Sequence, residues 1–123
     1  MQHIGIDIIE IARISEAIDR WGEGFLKRVY TDAELPLYRD KLSSLAARFA
    51  AKEAVIKALG IVQGVNWKDI EILSGPDGQP LVTLHGKMHD RAVELGMDNL
   101  AVSLSHCKDY AVAIATAEKA TKA

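Results

Sequence analysis

Two carboxylates and several cations stand where a folded chain has to account for them. Asp7 lies in Ile4-Gly5-Ile6-Asp7-Ile8-Ile9, a short, β-branched and almost wholly apolar run. That is the composition of a strand covered on both faces. An ionised carboxylate in such a strand is costly unless a cation or several donors meet it. A strand-end aspartate bonded to backbone and a metal or ligand role both remain open at this stage.

Arg48, Lys52, Glu53 and Lys57 share one run from Leu45 to Leu59. At a helical turn of about 3.6 residues, Leu45, Phe49, Val55, Ile56 and Leu59 make one apolar arc, and Arg48 and Lys52 project from inside it. Glu53 and Lys57 fall one turn apart at its edge, beside Ala46 and Ala50, whose small side chains leave room for another group. A surface Glu-Lys pair with long cations snorkelling past the apolar face is the plainer account. Two carboxylates and several cations on separate elements suit a metal-bridged phosphate.

Ser105-His106 offers a hydroxyl and an imidazole that could donate to a phosphate, or two turn residues. A hydrolytic Ser-His pair is disfavoured, because neighbours on a strand point to opposite faces and no G-x-S-x-G elbow is present. His85 and His89 are one helical turn apart, but there is no H-E-x-x-H and Gly86 weakens a helix there. Neither G-x-G-x-x-G nor a P-loop occurs.

The elements that must position these groups follow from periodicity. The Asp7 strand leads into a helix marked by Ile11, Ile14, Ile18 and Trp21, broken by Gly22 and Gly24. Thr31-Asp32-Ala33-Glu34 reads as a capping box, and Pro36 implies a short or kinked segment before a longer helix runs from Ser43 or Ser44 to Leu59, stopped by Gly60. Trp67 to Leu73 and Leu81 to Leu84 read as a hairpin around dense turn chemistry, Lys87 to Leu95 as a short helix, and Leu100 to Ser105 and Tyr110 to Thr116 as a last strand pair. This order predicts one α+β domain over residues 1–117 with a mainly antiparallel sheet and a long helix packed against it, and a frayed polar tail over 118–123.

Composition bounds the rest. The 123 residues are 49% hydrophobic, enough for one core but too few to enclose a large ligand, so self-association is expected. Fifteen Lys+Arg against 17 Asp+Glu give a net charge of −2, with no global field for nucleic acid. One cysteine, Cys107, suits a reducing compartment, and no signal segment or transmembrane-length apolar run is seen, so a cytoplasmic protein with no membrane partner is expected.

Gly5-Ile6-Asp7-Ile8-Ile9-Glu10-Ile11 and Arg48-Phe49-Ala50-Ala51-Lys52-Glu53-Ala54-Val55-Ile56-Lys57-Ala58-Leu59-Gly60 resemble the two signature stretches of the holo-acyl-carrier-protein synthases. Trp67-Lys68-Asp69-Ile70-Glu71-Ile72 and Ser103-Leu104-Ser105-His106 extend the resemblance over nearly the whole chain. It implies the 4'-phosphopantetheinyl transferase fold and a magnesium-dependent transfer of phosphopantetheine from coenzyme A to a serine of apo acyl carrier protein. The reaction releases adenosine 3',5'-bisphosphate and supports fatty acid biosynthesis.

By the same resemblance Asp7 and Glu53 hold Mg2+, Glu53 or a metal-held water is the base, and Lys57 neutralises the transferring phosphate. Arg48, Lys52, Lys57, Gly60, Ser105 and His106 contact coenzyme A, the last pair from a neighbouring chain of a homotrimer. Arg13, Arg20, Lys27 and Arg28 meet the acidic helix of the carrier. Ile9 stands where larger relatives place a third carboxylate, which leaves a water or Glu10 to complete the metal shell. A non-catalytic carrier-binding module and a metal-dependent phosphohydrolase stay open beside the transferase.

Overall fold

The computed structural model describes residues 2–60 and 63–119. In chain order the elements are β1 (Gln2–Glu10), α1 (Ile11–Trp21), α2 (Glu23–Val29), α3 (Leu35–Tyr38), α4 (Leu42–Leu59), β2 (Ile70–Ser74), β3 (Pro80–Leu84), α5 (Gly86–Leu95), β4 (Met97–His106) and β5 (Tyr110–Lys119). The strands divide into an antiparallel sheet in the order β1-β5-β4 and a separate β2-β3 hairpin. The α+β class with mainly antiparallel pairing therefore stands as expected.

α4 lies at the centre. Its Ala50, Ala51, Ala54 and Ala58 share one core cluster with Ala113, Ala115 and Ala117 of β5. Small side chains on both sides let helix and sheet approach closely. The approach is tightest at Gly5, where an added Cβ would fall 2.7 Å from the Ala58 backbone nitrogen and nearer still to the Ala54 carbonyl oxygen. Ala46 and Ala50 are fully buried as well. The room expected over Ala46 and Ala50 is thus filled by the chain's own core, which corrects that reading.

Between Leu45 and Leu59 all residues but Phe49, Glu53, Ile56 and Lys57 are buried. Phe49, Glu53 and Lys57 form a single i, i+4 stripe. Gly60 ends the helix at φ 92°, a conformation that favours glycine.

β1 is not covered on both faces. α4 shields the side that carries Gly5, while Ile4, Ile6 and Ile8 remain 59%, 58% and 64% exposed on the other. Ile6 pairs with Ile114 of β5, itself 39% exposed, so the apolar surface continues across the sheet. The residues are hydrophobic as a buried strand requires, but one chain supplies only one covering layer.

Other local departures have simple causes. Glycine at 22 does not end the helical region but separates α1 from α2. Thr31 and Glu34 do form the reciprocal box, the Thr31 N–H donating to Glu34 Oε1 at 2.8 Å and the Glu34 N–H to Thr31 Oγ1 at 3.1 Å. Pro36 sits in the first turn of the one-turn α3, where its missing N–H leaves no bond unmade. Trp67–Asp69 is a 3₁₀ turn capped by Asn66, and the strand begins only at Ile70. Glu118 and Lys119, expected in the tail, pair with the sheet in β5. Residues 120–123 lie outside the described range.

Candidate active site

Asp7 reaches the site because β1 alternates. With Ile6 and Ile8 on the open face, Asp7 points to the α4 side, its side chain 18% exposed. There Lys57 Nζ donates to Asp7 Oδ1 at 2.9 Å and to the Ile6 carbonyl at 3.0 Å. The cation that a strand carboxylate needs is supplied by the same chain.

Glu53 follows on the exposed stripe of α4, and the Trp67 indole Nε1–H donates to its Oε1 at 2.6 Å. The Trp67 ring rests against Phe49 with centroids 5.7 Å apart. Asp7, Glu10, Arg13, Phe49, Glu53 and Tyr110 all line one open pocket of about 410 Å³. Asp7 and Glu53 come from different elements and converge on it.

Lys52 does not join them. It is fully buried, and its ammonium donates to Glu34 Oε1 at 2.6 Å, to the Ile70 carbonyl at 2.7 Å and to the Trp67 carbonyl at 3.2 Å. All three protons are spent inside the chain, which corrects its expected contact with coenzyme A. Burial pushes the Lys52 ammonium below its ordinary pKa, and the Glu34 carboxylate opposes that shift. Glu34 also accepts from the Ile72 N–H at 2.8 Å, so the pair ties α4 to β2 and to the turn at Thr31.

Arg48 is 9% exposed and lies over the Tyr38 ring at 3.7 Å, donating through Nη2 to Ser74 Oγ at 3.3 Å. Its Nε is buried without a partner among the described residues. Arg48 therefore faces α3 and the end of β2, away from the pocket of Asp7 and Glu53. Its expected cofactor contact is not formed in that pocket.

Ser105 pairs with Val112, which pairs with Ile8, so Ser105 belongs to the open apolar face of the sheet. His106 ends β4, and neither residue lines the pocket. Gly60 stands at the C-cap of α4. Arg13, Arg20, Lys27 and Arg28 are all exposed on α1 and α2. Arg13 stands at the pocket rim, 3.6 Å from Glu10, and Arg20 lies 5.0 Å over the Trp21 ring. Arg28 borders a second, apolar hollow of about 510 Å³ with Trp21, Phe25 and Trp67.

Among the described residues no three His, Cys, Asp or Glu side chains cluster as a metal set. The pocket carries three carboxylates, of which Asp7 and Glu53 each have one oxygen engaged by a nitrogen donor of the chain, while Glu10 stands 3.6 Å from Arg13. That fits a magnesium ion, which takes one or two carboxylates and completes its shell with water and substrate phosphate, and it does not fit a metal that prefers sulfur.

The family model of the 4'-phosphopantetheinyl transferase superfamily matches residues 3–115. The chain belongs to that superfamily. A holo-(acyl-carrier-protein) synthase of Dehalococcoides mccartyi is 53% identical over 96% of this chain and 99% of its own. One from Herpetosiphon aurantiacus is 48% identical over 89% of this chain and 92% of its own. Among solved structures, the Helicobacter pylori synthase in complex with coenzyme A superposes with TM-score 0.84 at 38% identity, covering 94% of this chain and 99% of that one. A coenzyme A complex of the Chronobacterium ammoniagenes enzyme gives 0.85 at 29% identity, covering 98% and 99%.

Two residues of the site had no role in the sequence reading. Trp67 read as part of a strand and Glu34 as a cap, yet the one holds Glu53 and the other neutralises Lys52. Both contacts join residues far apart along the chain, so no local pattern announces them. The only hint is a lysine inside an apolar arc, which demands a buried carboxylate somewhere.

Proposed function

We propose that the chain moves the 4'-phosphopantetheine group of coenzyme A onto a serine of apo acyl carrier protein, releasing adenosine 3',5'-bisphosphate, in support of fatty acid biosynthesis. The observation that carries this is the convergence of Asp7 and Glu53 on one pocket, with the Lys57 ammonium bonded to Asp7. Coenzyme A is bound in the Helicobacter pylori relative, whose fold this chain shares over nearly its full length.

Asp7 and Glu53 are the residues that would hold magnesium. When bound, the ion would neutralise pyrophosphate charge and orient the phosphorus for in-line attack. Lys57 sits where its ammonium can leave Asp7 for a phosphate oxygen as charge grows there. The carrier serine oxygen forms the new bond to the pantetheine-bearing phosphorus, the bond to the nucleotide phosphate breaks, and the serine proton passes to Glu53 or to a water. The nucleotide departs as a phosphate anion, so atoms and charge balance.

The open face of Ile4, Ile6, Ile8 and Ile114 supports a homotrimer, because an apolar surface of this extent is rarely left to water. Ser105 lies on that same face, and with His106 would reach the coenzyme A of a neighbouring chain. The exposed cations Arg13, Arg20, Lys27 and Arg28 supply a local basic surface for the acidic carrier on a chain whose net charge is −2. No helix among the described residues is long and apolar enough to cross a membrane, and the lone cysteine suits the cytoplasm.

The proposal is tested by following adenosine 3',5'-bisphosphate release from coenzyme A and magnesium. Release should require an apo carrier with its serine intact. Equal release without carrier would instead indicate the hydrolase.

A further inference from the structure

Glu53 is not free to choose its orientation. The indole Nε1–H of Trp67 meets its Oε1 at 2.6 Å, a short bond of the kind a charged acceptor makes. Trp67 is itself held from several sides. Lys52 Nζ donates to its carbonyl at 3.2 Å, its ring lies 5.7 Å from Phe49, and it opens a 3₁₀ turn closed by the reciprocal Asn66 and Asp69 box. Lys52 is anchored in turn by Glu34 at 2.6 Å. A rigid donor on a buried support therefore consumes one oxygen of Glu53, and Oε2 is the oxygen left for the pocket shared with Asp7.

We infer that Trp67 is a positioning residue for Glu53, pinning the carboxylate through one oxygen so that the other is presented to the magnesium-phosphate site. The inference rests on the transferase reading above. Outer contacts of this kind fix the direction of a ligand and reduce the freedom it must lose when the ion binds. Another side of the same ring borders the apolar hollow with Arg28, and its N–H is turned to Glu53.

Trp67→Phe is the variant of choice, since it keeps a ring against Phe49 while removing the N–H donor together with the second ring of the indole. The chain has two tryptophans, so each indole N–H gives its own resonance in a ¹H–¹⁵N spectrum, assigned by the signal lost in Trp21→Phe. In the wild type, the Trp67 resonance should move on Glu53→Gln and on adding magnesium chloride with coenzyme A, more than that of Trp21. In turnover, Trp67→Phe should raise the magnesium concentration for half-maximal rate roughly tenfold, with KM for the carrier unchanged.

An indole resonance indifferent to Glu53→Gln, or a Trp67→Phe enzyme with the wild-type magnesium dependence, overturns the inference and leaves the transferase reading intact. A wild type that transfers nothing in magnesium overturns both. The spectra of the wild type and Glu53→Gln decide the matter even where Trp67→Phe does not fold.

Discussion

Lys57 Nζ and Asp7 Oδ1 lie 2.9 Å apart across the contact of α4 with β1, although the residues are 50 positions apart in the chain. The lysine side chain is 55% exposed and the aspartate 18%, so the pair is held at the surface end of the core contact. Such a pair adds little to stability, about 0–1 kcal/mol. Its value is in what the ammonium can do next. Lys57→Ala should leave the melting temperature nearly unchanged while turnover falls about a hundredfold, as for other single donors to a transition state. Steady-state assays beside a thermal melt check both halves.

Asp7 and Glu53 should respond differently from Lys57. Asp7→Asn and Glu53→Gln keep shape and hydrogen bonding but remove hard anionic donors, so both should lose metal dependence and activity without unfolding. Near-normal turnover of Glu53→Gln at saturating magnesium would remove Glu53 from the metal site and from the role of base. Circular dichroism on the same samples separates loss of chemistry from loss of fold.

The pair Lys52 and Glu34 carries structure instead. Removing one partner of a fully buried ion pair strands the other charge, which costs about 3–5 kcal/mol. Lys52→Met should therefore lower the urea midpoint sharply, and adding Glu34→Gln should recover part of the loss. A double variant no better than the single one would show that the two charges are not coupled.

Gly5→Ala tests how the sheet delivers Asp7. The added methyl would meet the backbone of Ala54 and Ala58, atoms that cannot rotate away. Overpacking usually costs about 1–3 kcal/mol, and a backbone obstacle puts this site at the upper end. Activity should fall with it, because β1 must shift and Asp7 shifts with β1. A denaturant melt and a transfer assay on one preparation give both numbers.

Tyr30 sets an alkaline limit. Burial first, then the Glu34 carboxylate, pushes its phenol well above the ordinary value of 10.0, while Arg48 pulls the other way. The folded chain keeps a proton that the unfolded chain releases, so this contribution is whole below pH 10.0 and is lost as pH rises further. Lys52, shifted down by burial, has the opposite sign at lower pH, its contribution rising as pH climbs toward its ordinary value of 10.5. Tyr30→Phe isolates the tyrosine share: stability should fall less steeply above pH 10.0, after losing about 1 kcal/mol at neutral pH with the bond to the Leu45 carbonyl. An unchanged alkaline slope would contradict this.

Asp7, Glu53 and Lys57 stood out as candidates because of where their charges fall, in an apolar strand or at the edge of an apolar arc, and the fold brings Asp7 to one pocket with Glu53 and against Lys57. α4 and its glycine stop were legible because helical period and capping are local. What could not be read was the depth of burial. Lys52 and Arg48 project from inside the arc that Glu53 borders, but their partners Glu34, Tyr38 and Ser74 arrive from other elements and are not announced by the local pattern. The open face of β1 was hidden because Ile4, Ile6 and Ile8 read the same whether one face of the strand is covered or both.

The most direct test is the intact mass of the carrier. Apo acyl carrier protein incubated with this enzyme, coenzyme A and magnesium should gain one phosphopantetheine on its serine, and the gain should vanish with chelator and with Asp7→Ala. A carrier that binds but keeps its mass, or coenzyme A cleaved beside an unmodified carrier, would contradict the account.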